Sequence, residues 1–499
     1  VKDSYDVIVI GGGASGIWAA RSLARARLSV LLLEAFDLPD SETSRRIHDS
    51  SNFVSRKKFP YLVPAGKPFD WKRIWGLGGR TVAWGGHLLR LSDFDLSAGE
   101  RDGFGSPWPI KYADLQEHYS QVEAALRVSG RRDGLSRVPD GEFERAPAEK
   151  TVSFLKKIVE NRWSDATAIT GRFANVSVGS LLGAGVDSGF LDVFANSLVT
   201  GLTTSEDGKR IAGVRIKDTR TLKSNRVTSK FVLLGCSTIL STALLLKLRS
   251  AKHPDGLGNA SRLLGTGLMD HTVVRAEGVF TDKTGMIAHD PNASTPRPMS
   301  YVPRFQNIER PDREYLRGFG IQVYWRRCEA HVKPGGRCSL SSSRKHDSHV
   351  IFLSFGEVLP NRKNRIHLDP RRVDRFGSPL IHIDFEFGSN EELLIQDQIS
   401  TIKAIASDAR ISLLAEPVRQ APGAAIHEVG TAKMGGSPED SVINSFCQSW
   451  DVENLYVVDG SGFPSLPAQN PTLTMMALSG RAAAQIIERA ARRTLKRAA

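Results

Sequence analysis

Gly11, Gly13 and Gly16 stand in G-x-G-x-x-G spacing inside the segment GGGASG, and Glu34 follows about 20 residues later. Those residue types suit the grip of a dinucleotide. Gly11 permits a tight turn, Gly13 lets a pyrophosphate approach the backbone, and Gly16 lets helix and strand pack closely. Ala14 and Ser15 open the helix, whose first N–H groups and positive dipole end favour phosphate. Glu34 can accept hydrogen bonds from a ribose. The elements needed around them are legible: YDVIVI (5–10) is a buried strand, ASGIWAARSLARAR is a helix, and LSVLLLEA is the next strand, ending at Glu34. The motif does not by itself separate NAD from FAD.

A second group of candidates lies far along the chain. AIHEVGTAKMGG (425–436) puts His427 just before a Gly-Thr turn. NLYVVDGS (454–461) reads as a buried strand ending at Asp459 and Gly460, and ligands gather at strand ends of open α/β sheets. Asn470 and Pro471 precede a helix beginning TLTMMALSGRAAAQII, with Leu473, Ala477, Gly480, Ala484 and Ile487 expected on its inner face. Asn470 is a natural N-cap and Pro471 a natural first helical residue, so capping and ligand contact are both open for Asn470. His271, after a glycine-rich turn in LGTGLMDH, reads as a satisfied structural histidine. His367 and His382 lack HxH, HxxxH or clustered carboxylate spacing, so no metal site is expected. No G-x-S-x-G elbow suggests a hydrolase triad.

The middle of the chain must carry these groups. WGLGGRTVAWGG (75–86) packs five glycines and two tryptophans into twelve residues, which implies backbone pressed against something flat. The stretch 107–130 reads as a turn and an amphipathic helix that packs as structure. FVLLGCSTILSTALLLKL (231–248) is interrupted by polar residues and reads as a buried strand (231–234) and packed helix (238–248), with no membrane span. Alternating segments such as SHVIFLSFGEVLP mark a β-rich insertion over 273–424.

Bulk properties exclude several classes. At 499 residues the chain exceeds one core. Apolar content of 40% and charged content of 24% are those of a soluble globular protein. A net charge of +13 is dispersed, densest at 45–58 and in the tail, without nucleic-acid motifs, so no nucleic-acid partner is expected. Cys236, Cys328, Cys338 and Cys447 are too sparse for a disulfide framework and fit a reducing, cytoplasmic setting. VKDSYDVIVIGGG shows no basic-then-apolar leader, which leaves two expectations open: no export signal, or one removed before this numbering.

Four blocks in order, GGGASG with Glu34, GLGGRTVAWGG, LGTGLMDH, and HEVGTAKMG through VVDGSGFPSLPAQNPTLT, make the chain resemble the glucose-methanol-choline (GMC) family of FAD-dependent oxidoreductases. WPIKYADL…VSG and GEVLPNRKNRIHLDP liken it most to the bacterial sugar and polyol branch, with gluconate dehydrogenase flavoproteins, pyranose oxidases and C-glycoside oxidases. The resemblance implies an α/β (α+β overall) architecture, a Rossmann-like FAD-binding domain interleaved with a β-sheet substrate domain. The corresponding division is 1–100, 196–272 and 425–499 for the FAD domain, 101–195 for a cap segment and 273–424 for the substrate sheet. It implies FAD over NAD, with Glu34 on the adenosine ribose and the loop holding Gly79, Thr81, Gly85 and Gly86 against the flavin. Asp459 and Gly460 would hold the ribityl chain or pyrophosphate, and Pro471 and Thr472 would face the pyrimidine edge. His427 and Asn470 match the family's catalytic pair.

The implied reaction is oxidation of a CH–OH group of a sugar, glycoside or polyol to the carbonyl, with hydride transfer to flavin and His427 as base. Alternatives are a FAD-containing lyase of the hydroxynitrile-lyase kind and a non-catalytic flavin-binding subunit. Ala83 stands where some pyranose oxidases carry a flavin-linked histidine, so non-covalent FAD is expected. The acceptor, whether O2, a quinone or a protein, stays open, as does the oligomeric state.

Overall fold

A computed structural model describes residues 2–37, 59–145, 150–281, 299–327 and 347–498. The basic stretch 45–58, Cys328 and Cys338 lie outside the described residues. Two sheets organise the rest. In the first, parallel strands run in the order Leu191–Phe194, Val30–Leu33, Ser4–Ile10, Ser224–Leu234 and Leu455–Val457. Runs such as Val7 to Ile10 and Val30 to Leu33 are apolar throughout because both faces are covered. Ser197–Thr204 and Ile211–Asp218 extend the long strand Ser224–Leu234 antiparallel.

The helix Ala14–Arg25 leaves the first strand and buries Ile17, Trp18, Ala20, Leu23 and Ala24. The C-terminal helix Thr472–Ala498 crosses it at Gly480, where a Cβ would come within 2.8 Å of the Trp18 indole nitrogen. Ser479 Oγ there donates to Ser15 O at 2.7 Å. Leu473, Ala477 and Gly480 face inward as expected, but the face continues through Ala483 and Ile486 while Ala484 is exposed. With 3.6 residues per turn, a stripe advances by either three or four, and packing selects three after Gly480.

The second sheet is antiparallel. Its main strands are Thr272–Thr281, Asp347–Gly356, Phe319–Arg327 and Met299–Val302, in that spatial order. Period-two alternation splits its faces. Phe319, Ile321, Val323 and Trp325 join Val350 and Phe352 in a core against the helices Lys150–Arg162 and Ser389–Asp408. Gln322, Tyr324, Leu353 and Phe355, on the alternate positions, face a cavity shared with the first sheet.

The span 101–195 is shared out between these bodies. Its helix Tyr112–Leu126 packs on the C-terminal helix, with Tyr119 bonded to Thr474, and Leu191–Phe194 is an edge strand of the first sheet. Its residues Lys150–Arg162 and Ile169–Thr170 belong to the second sheet and its core. Pairing partners distant in sequence decide this, and local pattern carries no trace of them. The strand and helix expected within 231–248 appear as Ser224–Leu234 and Thr238–Lys247, and among the described residues no helix is long and apolar enough to cross a membrane.

Phe352 is fully buried in the second core, so Phe352→Ala should cost ~3–5 kcal/mol, read as a lower midpoint in chemical denaturation.

Candidate active site

The two sheets enclose a cavity of about 570 Å3. Its floor is the glycine turn. Gly11 has φ +102°, and a Cβ there would lie 2.5 Å from Gly235 O. Gly16 lies outside the wall, with its Cα so close to Gly11 O that any side chain collides, as helix–strand packing requires. Gly11, Gly13, Ala14 and Ser15 are wall residues, and the helix start has no side-chain cap, so its N–H groups are free for an anion. Glu34 borders the same space. Its carboxylate accepts from Gly12 N at 2.9 Å, and burial raises its pKa above the ordinary value. The loop supplies Gly79, Thr81, Gly85 and Gly86, and Trp75 stacks on Phe36 with ring centres 4.1 Å apart. Glycine-lined backbone, an uncapped helix start and a buried acid at the strand end fit a dinucleotide.

Not every residue singled out for the cofactor reaches the wall. Asp459 does, but its oxygens already accept from Ser241 Oγ, Ser461 Oγ and Ser461 N. Gly460 is packed beneath, where a Cβ would meet Thr238 Oγ1 at 2.8 Å and Glu428 O at 2.9 Å. Thr472 lines the cavity, whereas Pro471 is buried behind it and its carbonyl accepts the first helical bond, from Met475 N.

At the other end of the cavity His427 and Asn470 meet. Asn470 Nδ2 is 3.1 Å from His427 Nε2, and Asn470 Oδ1 accepts from Gln322 Nε2 at 2.8 Å. The amide is thus fully engaged away from the helix backbone, and the side-chain N-cap role is not taken up. Gln322 is held by Tyr324, whose hydroxyl donates to Gln322 Oε1 at 2.8 Å. His87, which no motif singles out, is buried with Nδ1 3.2 Å from Asn470 Oδ1 and 3.1 Å from Gln322 Nε2.

Behind His427 sits His271. Its Nε2 is 2.8 Å from Pro467 O and its Nδ1 is 2.9 Å from His427 Nδ1. A carbonyl only accepts, so His271 carries its proton on Nε2 and presents a bare Nδ1. His427 must then donate from Nδ1, which leaves Nε2 with a lone pair facing Asn470. His271 is the satisfied histidine expected from sequence, and it also fixes a tautomer. Burial lowers all three imidazoles: His271 and His87 to about 4, His427 well below 6.5.

The backbone around His427 is over-determined. His427 N donates to Asp270 Oδ1 at 2.8 Å, and Ile426 is held at φ +64°. A β-branched residue there costs on the order of 1–3 kcal/mol. Burial, then the neighbouring charge of Glu428, push Asp270 up to about 8, while Glu428 pairs with Arg80 in the wall.

Comparison with known proteins bears on the family and the fold. A GMC oxidoreductase family model matches residues 360–479, and a FAD dependent oxidoreductase model matches residues 6–48. Together these matches support a GMC-type FAD-dependent oxidoreductase acting on CH–OH donors. It is 28% identical to 2-methyl-1,2-propanediol dehydrogenase of Mycolicibacterium austroafricanum, over 98% of this chain and 96% of that protein. It is 28% identical to 6'''-hydroxyparomomycin C oxidase of Streptomyces lividus, over 95% of this chain and 89% of that one. The fold matches pyridoxine 4-oxidase from Mesorbium loti with a TM-score of 0.68 at 14% identity, over 96% of this chain and 99% of that one. The chain therefore shares its architecture with an oxidase of very different sequence.

His87, His271 and His427 have folded pKa values below the unfolded value of about 6.5. Between about 4 and 6.5 the unfolded chain binds protons that the folded chain refuses, so stability falls as pH drops through this window. Melting temperature against pH should decline there. The His87→Phe variant, lacking one such imidazole, should decline less steeply.

Proposed function

We propose that the protein oxidises a CH–OH group of a sugar, glycoside or polyol, with His427 as general base and Asn470 as the group that positions the hydroxyl. The observation that carries this reading is the bare Nε2 of His427, fixed by the hydrogen-bond chain from Pro467 O through His271 and facing the Asn470 amide across 3.1 Å. FAD, when bound, supplies the two-electron acceptor for the carbinol hydride. The chain's own residues do the rest. His427 Nε2 takes the hydroxyl proton while Asn470 Nδ2 donates to the same oxygen. Such base assistance contributes about 10²–10⁴-fold. Arg80, in the cavity wall and paired with Glu428, adds a positive group near the negative charge that develops there.

Several features support a polyhydroxylated substrate. Asn470, Gln322 and Tyr324 form a linked row of polar groups beside Leu353 and Phe355, able to hydrogen-bond neighbouring hydroxyls over an apolar face. Two relatives are named for a diol and an aminoglycoside. Ala83 in the wall offers no nucleophile, which supports non-covalent FAD.

Full-length protein should bleach its flavin absorbance without oxygen when mixed with the right member of a sugar, polyol and glycoside panel. His427→Ala should stay yellow while the bleaching rate falls about 10²–10⁴-fold in stopped flow. An unchanged rate removes His427 from the role. Because burial holds His427 neutral, kcat/KM should keep its full value down through pH 6.5 and fall only well below it. An acid limb at the ordinary histidine pKa would contradict the tautomer chain. His271→Phe should lower kcat more than it raises KM, since it releases the His427 ring from its proton-bearing orientation.

A further inference from the structure

Local spacing gives His367 and His382 no metal-binding pattern, yet strand pairing brings them together. They lie on the antiparallel hairpin formed by Arg365–Val373 and Pro379–Asp384, in which His367 is directly opposite His382 and Arg365 opposite Asp384. Alternation places all four on one face. The imidazole rings stack with centres 4.4 Å apart and planes 19° from parallel.

Their donor atoms converge on one carboxylate. His382 Nδ1 is 3.1 Å from Asp384 Oδ1, and His367 Nδ1 is 3.5 Å from Asp384 Oδ2. Despite those separations neither nitrogen makes a hydrogen bond, and both are shielded from solvent. One ligand atom from each residue lies within 4.8 Å of the others. Two imidazole nitrogens and a carboxylate oxygen around a common point are the donor set of a first-row divalent ion, which imidazole suits better than it suits calcium or magnesium. Tetrahedral zinc with bonds of about 2.0–2.2 Å sets its ligand atoms about 3.3–3.5 Å apart, comparable to the two nitrogen–oxygen separations; these reach different oxygens of Asp384, so binding must turn the stacked rings until both lone pairs meet at one ion.

We propose that His367, His382 and Asp384 form a binding site for a zinc-like divalent cation, with a fourth position open to water. Arg365 opposes it, since its Nε lies 3.2 Å from Asp384 Oδ2. The guanidinium is exposed at the strand end, so the ion takes Oδ1 while Arg365 keeps or releases Oδ2. The consequence is structural. The next pair along the hairpin, Leu368 and Ile381, points the other way and lines the cofactor cavity, as does Leu380. An ion across His367 and His382 cross-links the two strands that form this part of the wall. The site stands on different residues from the proposed base and does not depend on that role.

The test uses the full chain, flavin-loaded and freed of metal by a chelator. Titration with Zn2+ by calorimetry should give one ion per chain. Co2+ should bring visible absorption of a low-coordinate nitrogen–oxygen site, and Zn2+ should raise the melting temperature. The His367→Asn/His382→Asn double variant should lose all three responses, while His349→Gln, at a histidine paired elsewhere with Glu277, should keep them. His367→Asn alone, at a ring 43% exposed, gives the same reading should the double variant lose its flavin. No stoichiometric binding by the parent chain, or binding undiminished in either variant, overturns the site.

Discussion

One backbone carbonyl, Pro467 O, sets the chemistry of the site. It can only accept a hydrogen bond, so it dictates which nitrogen of His271 carries a proton, and His271 in turn dictates the same for His427. A neutral imidazole left to itself exchanges tautomers, and in one of the two its outward nitrogen would be a donor. Here the sign of the outward atom is decided two residues away from the reacting position, by a group with no titration of its own. The placement of Pro467 depends on the loop that joins the strand Leu455–Val457 to the last helix, and that helix is clamped onto the first by Ser479 and Gly480. The glycine turn and the proposed base are therefore linked through the same pair of packed helices.

The second sheet completes the site by its unburied face. Its alternate residues make a core with two helices, and that commitment leaves Gln322, Tyr324, Leu353 and Phe355 on the side where the cavity lies. Asn470 is the seam. Its amide nitrogen addresses His427 on the first body and its oxygen addresses Gln322 on the second. Rotation of one sheet against the other would break the bond to Gln322, so the residue proposed to position the hydroxyl also senses the relative placement of the two sheets.

What sequence made legible follows the range of the interactions. Gly11, Gly13 and Glu34 could be read because a turn, a helix start and a strand end are local events, and the blocks that carry the family resemblance are contiguous. The pairing of His427 with Asn470 came from that resemblance, and geometry now places the two side chains 3.1 Å apart. His87 and Gln322 could not be read, because each acquires its neighbours through strand pairing and loop placement across more than a hundred residues. His271 was visible as a buried histidine, but the direction of its two bonds depends on Pro467 and His427, both far along the chain. The pair His367 and His382 shows the same limit most plainly: fifteen positions separate them, and only the hairpin register sets one against the other.

Burial gives the site its remaining property. The groups that act electrostatically on His427 are His271, Arg80 and His87, and each disfavours a proton there. The nearest acids offer no compensation, since Asp270 is pushed toward its neutral form and Glu428 is occupied by Arg80. A resting imidazolium is therefore disfavoured, and His427 waits as a free base at neutral pH. The same arrangement makes it a poor base until negative charge gathers in the cavity. Removal of the hydroxyl proton is favourable only when it accompanies the arrival of an electron pair in that enclosed space, because only then does a positive His427 find a counter-charge. With Asp270 and Glu428 so committed, the proposed mechanism couples the two halves of alcohol oxidation, and an unpaired carboxylate placed beside His427 would uncouple them by stabilising the protonated ring before any substrate had reacted.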